Sequence, residues 1–192
     1  MKEIRTAEIR ATAPTAEGAT SLVIEGVAIV FDTPTVITDR NGSYTEIIKR
    51  GALDKAELTD SRLLYNHDLT RVPLAKTPKT MSFNITNVGL EFRAELPNTE
   101  QAREVYEAVK REDLAGCSFG FTVPENGQSY DPKTNTRTIT KIDKVYEVSI
   151  TPFPAYPTTS VEARSLQLAS LERFRALQNA KILCNKILRK EV

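Results

Sequence analysis

Apolar residues in this chain come in short Val- and Ile-rich runs cut by Gly, Pro and Asn, and only one internal stretch carries helical spacing. That pattern restricts the chain to a mainly β fold, because short apolar runs bounded by turn residues fit strands and are too brief for buried helices. Residues 20–31 (TSLVIEGVAIVF) read as one or two strands with Gly26 a candidate bulge. Residues 32–42 hold Pro34, Asp39, Asn41 and Gly42 and read as a loop, and the pattern around Gly51 is too short to classify. Residues 61–67 read as a strand. Residues 80–96 read as two strands joined around Asn87-Val88-Gly89, where Asn and Gly tolerate left-handed backbone. A short strand is expected over 117–123, then a turn over 131–136 feeding a long strand over 137–151 that Pro152, Pro154 and Pro157 end.

The helical stretch follows Asn98, with Gln101 three residues on as a capping-box variant. Ala102, Val105, Ala108 and Val109 form its narrow apolar stripe, and Gly116 sits where a C-terminal cap would stop it. Near the end, Leu171, Phe174, Leu177, Ala180, Leu183 and Ile187 recur at helical steps with Arg and Lys outside, the pattern of an amphipathic helix. The expected organisation is a loose segment over 1–19, one β domain with an internal helix over 20–163, and a helical tail over 164–192.

A chain of 192 residues suits one domain and buries roughly two-thirds of its unfolded surface. With 26 Lys+Arg against 25 Asp+Glu, the net charge of +1 leaves no electrostatic footprint for nucleic acid. No apolar run approaches the roughly 20 residues of a membrane span, and Met1-Lys2-Glu3-Ile4 opens no signal peptide. Two cysteines, Cys117 and Cys184, are too few for a disulfide framework and point to a reducing cytoplasm. A single histidine excludes any mechanism that needs two imidazoles.

The chemistry-bearing residues are few. In the strand GCSFGFT, alternation puts Cys117, Phe119 and Phe121 on a core face and Ser118, Gly120 and Thr122 on a small polar one, where a substrate backbone can approach a hydroxyl. Ser118 is therefore a candidate nucleophile, against the plain reading of a structural serine. His67 is the one side chain whose unperturbed titration suits a base near neutrality. Its plain reading is a half-buried strand-edge residue, since Leu63, Tyr65 and His67 share a face. For the group that orients the imidazole, Glu147 lies on the side of its strand shared by Asp143, Val145 and Ser149, opposite Ile142, Tyr146, Val148 and Ile150. Asp143 and Asp68 compete with it, although Asp68 follows His67 directly and so points the other way in a strand. Cys117 is a weaker nucleophile candidate because it shares the core face with Phe119 and Phe121. No Gly-rich phosphate loop and no His/Cys/Asp cluster at ligand spacing is present, so no cofactor and no metal are expected.

Five stretches in order resemble one family: GVAIVF at 26–31, RGAL at 50–53, YNHD at 65–68, GCSFGF at 116–121 and YEVSITPFPA at 146–155. Together, over about 20–163, they resemble the prohead (capsid maturation) serine proteases of tailed bacteriophages. The resemblance implies a fold like the herpesvirus assemblin protease: an α+β, mainly β chain forming a closed or nearly closed barrel wrapped by helices, usually dimeric. It implies a serine endopeptidase that acts inside the immature capsid in the host bacterial cytoplasm, removing scaffold or the scaffolding region of the major capsid protein and often cleaving itself. It places the nucleophile at Ser118 and the base at His67. The herpesvirus relatives use a second histidine as third member, which this chain lacks, and Glu147 is the expected substitute. The oxyanion donors are expected in the loop at 151–159. Neither nucleic acid nor membrane is an expected partner. Two other readings stand beside this one: a non-catalytic capsid-assembly or scaffolding module that self-associates through its tail, and a cysteine hydrolase using Cys117.

Overall fold

A computed structural model describes residues 2–12, 22–39 and 42–152, and among them the chain forms twelve strands and one α-helix. In chain order these are β1 (Lys2–Thr12), β2 (Leu22–Val30), β3 (Thr35–Asp39), β4 (Gly42–Ile48), β5 (Arg62–Tyr65), β6 (Ala75–Lys76), β7 (Met81–Ile85) and β8 (Gly89–Leu96). Helix α1 (Glu100–Lys110) follows, then β9 (Gly116–Thr122), β10 (Gln128–Asp131), β11 (Thr136–Ile139) and β12 (Lys144–Thr151). One sheet has the order β6-β5-β12-β9-β1-β2-β8-β7 and a second has β10-β11-β4-β3. β1 divides the larger sheet in two, because Lys2 to Glu8 pair with β9 while Ile9 to Thr12 pair with β2.

Alternation explains the core. Cys117, Phe119 and Phe121 on β9 are at most 2% exposed and face inward with Val148 and Ile150 of β12, which lie opposite Phe119 and Cys117. The Phe119 and Phe121 rings stack at 5.2 Å. Truncating a buried phenylalanine of this kind to alanine costs about 3–5 kcal/mol. Helix α1 opens at Thr99, whose hydroxyl accepts from the Ala102 N–H, and buries Ala102, Val105, Tyr106 and Val109 against β1 and β2. At the β7–β8 turn a Cβ on Gly89 would fall on the Ile29 carbonyl oxygen, so the close strand approach requires glycine.

The mainly β reading with one internal helix agrees with this architecture, and several finer expectations do not. Among the described residues none of the sheets closes on itself into a barrel, and a single helix packs on the strands in place of the expected wrapping helices. The edge strands β6 and β7 are consecutive in the chain, but β6 contributes only two residues and the intervening Pro78 has no N–H to donate to a ladder. Lys2–Thr12, inside the stretch expected to be loose, is a strand paired first with β9 and then with β2. The expected loop at 32–42 contains β3, and the expected long strand at 137–151 is two strands in different sheets. The bulge in β2 falls at Ala28, where the register with β8 shifts, and not at Gly26. Thr99 rather than Asn98 caps α1, and the chain leaves it through Glu112 in the left-handed region (φ 65°), so Gly116 is free to begin β9. The tail helix expected over 164–192 lies outside the described residues.

Candidate active site

Three neighbouring strands build the site. β12 runs between β5, to which it is parallel, and β9, to which it is antiparallel. In register, Ser149 lies opposite Ser118 and Glu147 opposite Gly120, so all four share one face of the sheet. The opposite face carries Val148 and Ile150 into the core.

A bulge sets this arrangement. Between Val145 and Glu147 the pairing with β9 slips by one residue, leaving Tyr146 without a counterpart. Simple alternation puts Val145 with Glu147 and Tyr146 with the apolar face. In the structure Val145 is buried opposite Phe121 and Tyr146 is 38% exposed. Beyond the bulge the alternation resumes as expected, with Glu147 and Ser149 on the Ser118 side.

His67 reaches the same face by a different device. β5 ends at Tyr65, and both Asn66 (φ 50°) and His67 (φ 59°) are left-handed, a conformation Asn and His tolerate better than most residues. The turn is pinned to β12 by the Asn66 N–H on the Ile150 carbonyl at 2.9 Å, and closed by the Asp68 N–H on the Tyr65 carbonyl at 3.0 Å. Straight alternation would send His67 to the side of Leu63 and Tyr65. The double left-handed step turns it towards Glu147 instead.

Glu147 and His67 are in contact, with Nδ1 3.1 Å from Oε1. The carboxylate side chain is 3% exposed and the imidazole 21%. The second carboxylate oxygen, Oε2, accepts from the Ser149 hydroxyl at 2.7 Å. Ser118 is 1% exposed, and its Oγ has no hydrogen-bond partner among the described residues, His67 included. An uncommitted hydroxyl on the face that holds an imidazole–carboxylate pair is chemically suited to give up its proton once the imidazole closes on it.

The competing carboxylates are elsewhere. Asp68 accepts from the Thr70 hydroxyl and N–H at 2.6 and 2.8 Å and pairs with Arg71. Those bonds, the Thr70 hydroxyl's first, hold its carboxyl below the usual range. Asp143 is exposed ahead of β12, its N–H on the Thr122 carbonyl. Cys117 is fully buried in the core. Ser149 escaped the sequence reading as a participant, although its place two residues after Glu147 on a strand was signal enough that the two share a face. Most of the loop at 151–159 lies outside the described residues. Among the described residues no group of three or more His, Cys, Asp or Glu could hold a metal, and no helix is long and apolar enough to cross a membrane.

The T4 capsid assembly protease gp21, of bacteriophage T4, has a similar fold, with a TM-score of 0.50 and 12% identity over 80% of this chain and 99% of that one. No curated protein matches the chain by sequence. The family model described as Caudovirus prohead serine protease matches residues 6–174 of the 192. With that much of its length matched, from within β1 to beyond β12, the chain belongs to the Caudovirus prohead serine protease family.

Proposed function

We propose that the protein is the endopeptidase of capsid maturation in its phage, with Ser118 as nucleophile, His67 as general base and Glu147 as the carboxylate that orients it. The observation that carries this reading is the 3.1 Å contact between His67 Nδ1 and buried Glu147, on the sheet face that also presents Ser118. With Nδ1–H donating to the carboxylate, Nε2 is the free acceptor, the tautomer a base needs. Nε2 takes the Ser118 proton as Oγ attacks the scissile carbonyl. The imidazolium, stabilised by Glu147, then protonates the leaving amine, and a water deprotonated by the same imidazole hydrolyses the acyl-enzyme. Ser118 Oγ makes no hydrogen bond to His67 among the described residues, and the transfer requires the imidazole to come within hydrogen-bond reach of it. Backbone N–H groups from 151–159 are the proposed oxyanion donors.

Family membership supports a protein substrate in the capsid, and we assign the scaffold or the scaffolding region of the major capsid protein, together with the chain itself. The place of action is the prohead in the host cytoplasm, and the acting form a homodimer. Intact-mass spectrometry of the purified protein and its Ser118→Ala variant, alone and with the capsid protein and scaffold of the same phage, tests the assignment. Discrete truncation by the parent and none by the variant is expected. Equal truncation by both would remove Ser118 from its role. No truncation by either, with substrate present, favours the non-catalytic assembly module. Sedimentation of the same samples reads the dimer.

A further inference from the structure

We infer that Ser149 is a positioning residue of this protease: its hydroxyl holds the Glu147 carboxylate in the one orientation that offers Oε1 to His67. The inference rests on the proposed roles of Ser118, His67 and Glu147. Glu147 sits among core strands with its side chain 3% exposed, so neighbouring protein groups rather than bulk solvent orient it. A carboxylate on a rotatable stem has two equivalent oxygens and no preference between them until a donor engages one. The Ser149 O–H does so, donating to Oε2 at 2.7 Å, and leaves Oε1 facing His67 Nδ1 at 3.1 Å. The geometry behind this is rigid. Residues two apart on a strand project from the same face, and Ser149 is fully buried and paired in register with both Ser118 of β9 and Leu64 of β5.

The same residue therefore stands between the two halves of the machinery. Across the ladder it faces Ser118, at the few-ångström Cβ separation of a directly opposed pair, yet its proton is committed to Glu147 and not to Ser118. The nucleophile's hydroxyl is thereby left uncommitted, as the absence of a partner at Ser118 Oγ among the described residues records. Removing the Ser149 hydroxyl takes that donor away from Oε2. The carboxylate is then free to turn from that orientation, and the imidazole loses the partner that fixes its tautomer.

The test uses the full, untagged chain, whose single histidine gives one imidazole signal set by NMR. A fluorophosphonate probe reports nucleophile activation without a known substrate, and intact mass with peptide mapping reads the site and rate of labelling. The parent is expected to label at Ser118 and to show a downfield His67 Nδ1–H proton. In Ser149→Ala labelling slows about tenfold or more and that proton moves upfield or is lost to exchange, while Ser149→Thr, which keeps the hydroxyl, recovers both. Ser149→Cys, close in size and a weak donor, replaces the alanine variant if that one does not fold. Parental labelling rate and an unchanged His67 signal in Ser149→Ala overturn the inference alone, as does a loss of rate no greater than the loss of folded protein. Labelling of the parent at a residue other than Ser118 overturns the nucleophile assignment, and this inference with it.

Discussion

Ser118 keeps a buried hydroxyl that satisfies no partner among the described residues, an arrangement that costs stability whatever the group does. A buried unsatisfied polar group costs about 1–3 kcal/mol, and part of that returns when the group is deleted. Ser118→Ala should therefore gain up to about 1 kcal/mol, raising the melting temperature by roughly 2–4 °C, while hydrolysis falls to background. Thr122 is the internal control. Its Oγ1 also lacks a partner among the described residues, two positions beyond Gly120 on the same face. Thr122→Val should gain comparable stability and keep activity. Calorimetry of both variants beside a cleavage assay reads the contrast, and a destabilised, inactive Ser118→Ala would show that the hydroxyl holds the fold and not the chemistry. Glu147 shows the opposite bias at the same scale: both its oxygens are engaged, one by His67 and one by Ser149.

Two elements turn regular strands into a site, and each breaks the alternation that a sequence displays. At the end of β5 the left-handed pair Asn66 and His67 re-aims the imidazole. Asn66→Gly should be nearly neutral, since glycine adopts that conformation without strain, whereas the β-branched Asn66→Val should cost about 1–3 kcal/mol and most of the activity. Denaturant midpoints and probe labelling measure both, and an active, stable Asn66→Val would mean that the turn does not set His67. On the outer side of β5, Arg62 lies directly opposite Lys76, and Asp60 bridges the two like charges, 2.8 Å from Lys76 and 3.3 Å from Arg62. Lys76 first and Arg62 second hold the Asp60 carboxyl at about 2, below its ordinary 3.8. A lowered folded value favours the fold above the unfolded one and is lost as pH falls through the folded one. The parent's small stability advantage over Asp60→Asn should thus be full at pH 6 and fade between about pH 4 and 2. A pH-independent difference in denaturant midpoint would contradict the bridge. What the sequence made legible follows the same division. β9 is regular, so the opposed faces of Ser118 and Cys117 were readable from GCSFGFT. The bulge at Tyr146 and the turn at Asn66 are imposed by pairing with strands far away in the chain, and local alternation cannot report them. KEIRTAEIRAT has little apolar alternation, and β1 is a strand because β9 and then β2 supply ladders along its length.

At the scale of the whole molecule, the four-stranded sheet is the foundation from which β12 departs. β11 runs beside β4, and residues 140–143 carry the chain from there into the strand that bears Glu147. Backbone bonds fasten the passage: the Ile142 N–H reaches the Ala52 carbonyl at 2.7 Å, and the Asp143 N–H reaches Thr122 at 2.8 Å. Inside the small sheet, Arg137 and Glu46 are register partners and form an ion pair of 2.8 Å with side chains only 4% and 2% exposed. Gln128 of β10 accepts from Arg137 Nε at 2.7 Å, so one guanidinium ties three strands together. Two buried charges are costly to desolvate, and their pairing offsets that cost without a large surplus. The asymmetry gives a sharp expectation. Glu46→Gln takes the Glu46 charge away from the buried guanidinium and should cost about 3–5 kcal/mol, whereas Glu46→Leu combined with Arg137→Met removes both charges and should cost far less than the sum of the single changes. Urea unfolding of the two singles and the double closes the cycle. Because β12 leaves this sheet only four residues after β11, the single variant should also slow probe labelling at Ser118, and the double should restore it. Additive losses across the cycle would show that the pair is incidental to both the foundation and the site it supports.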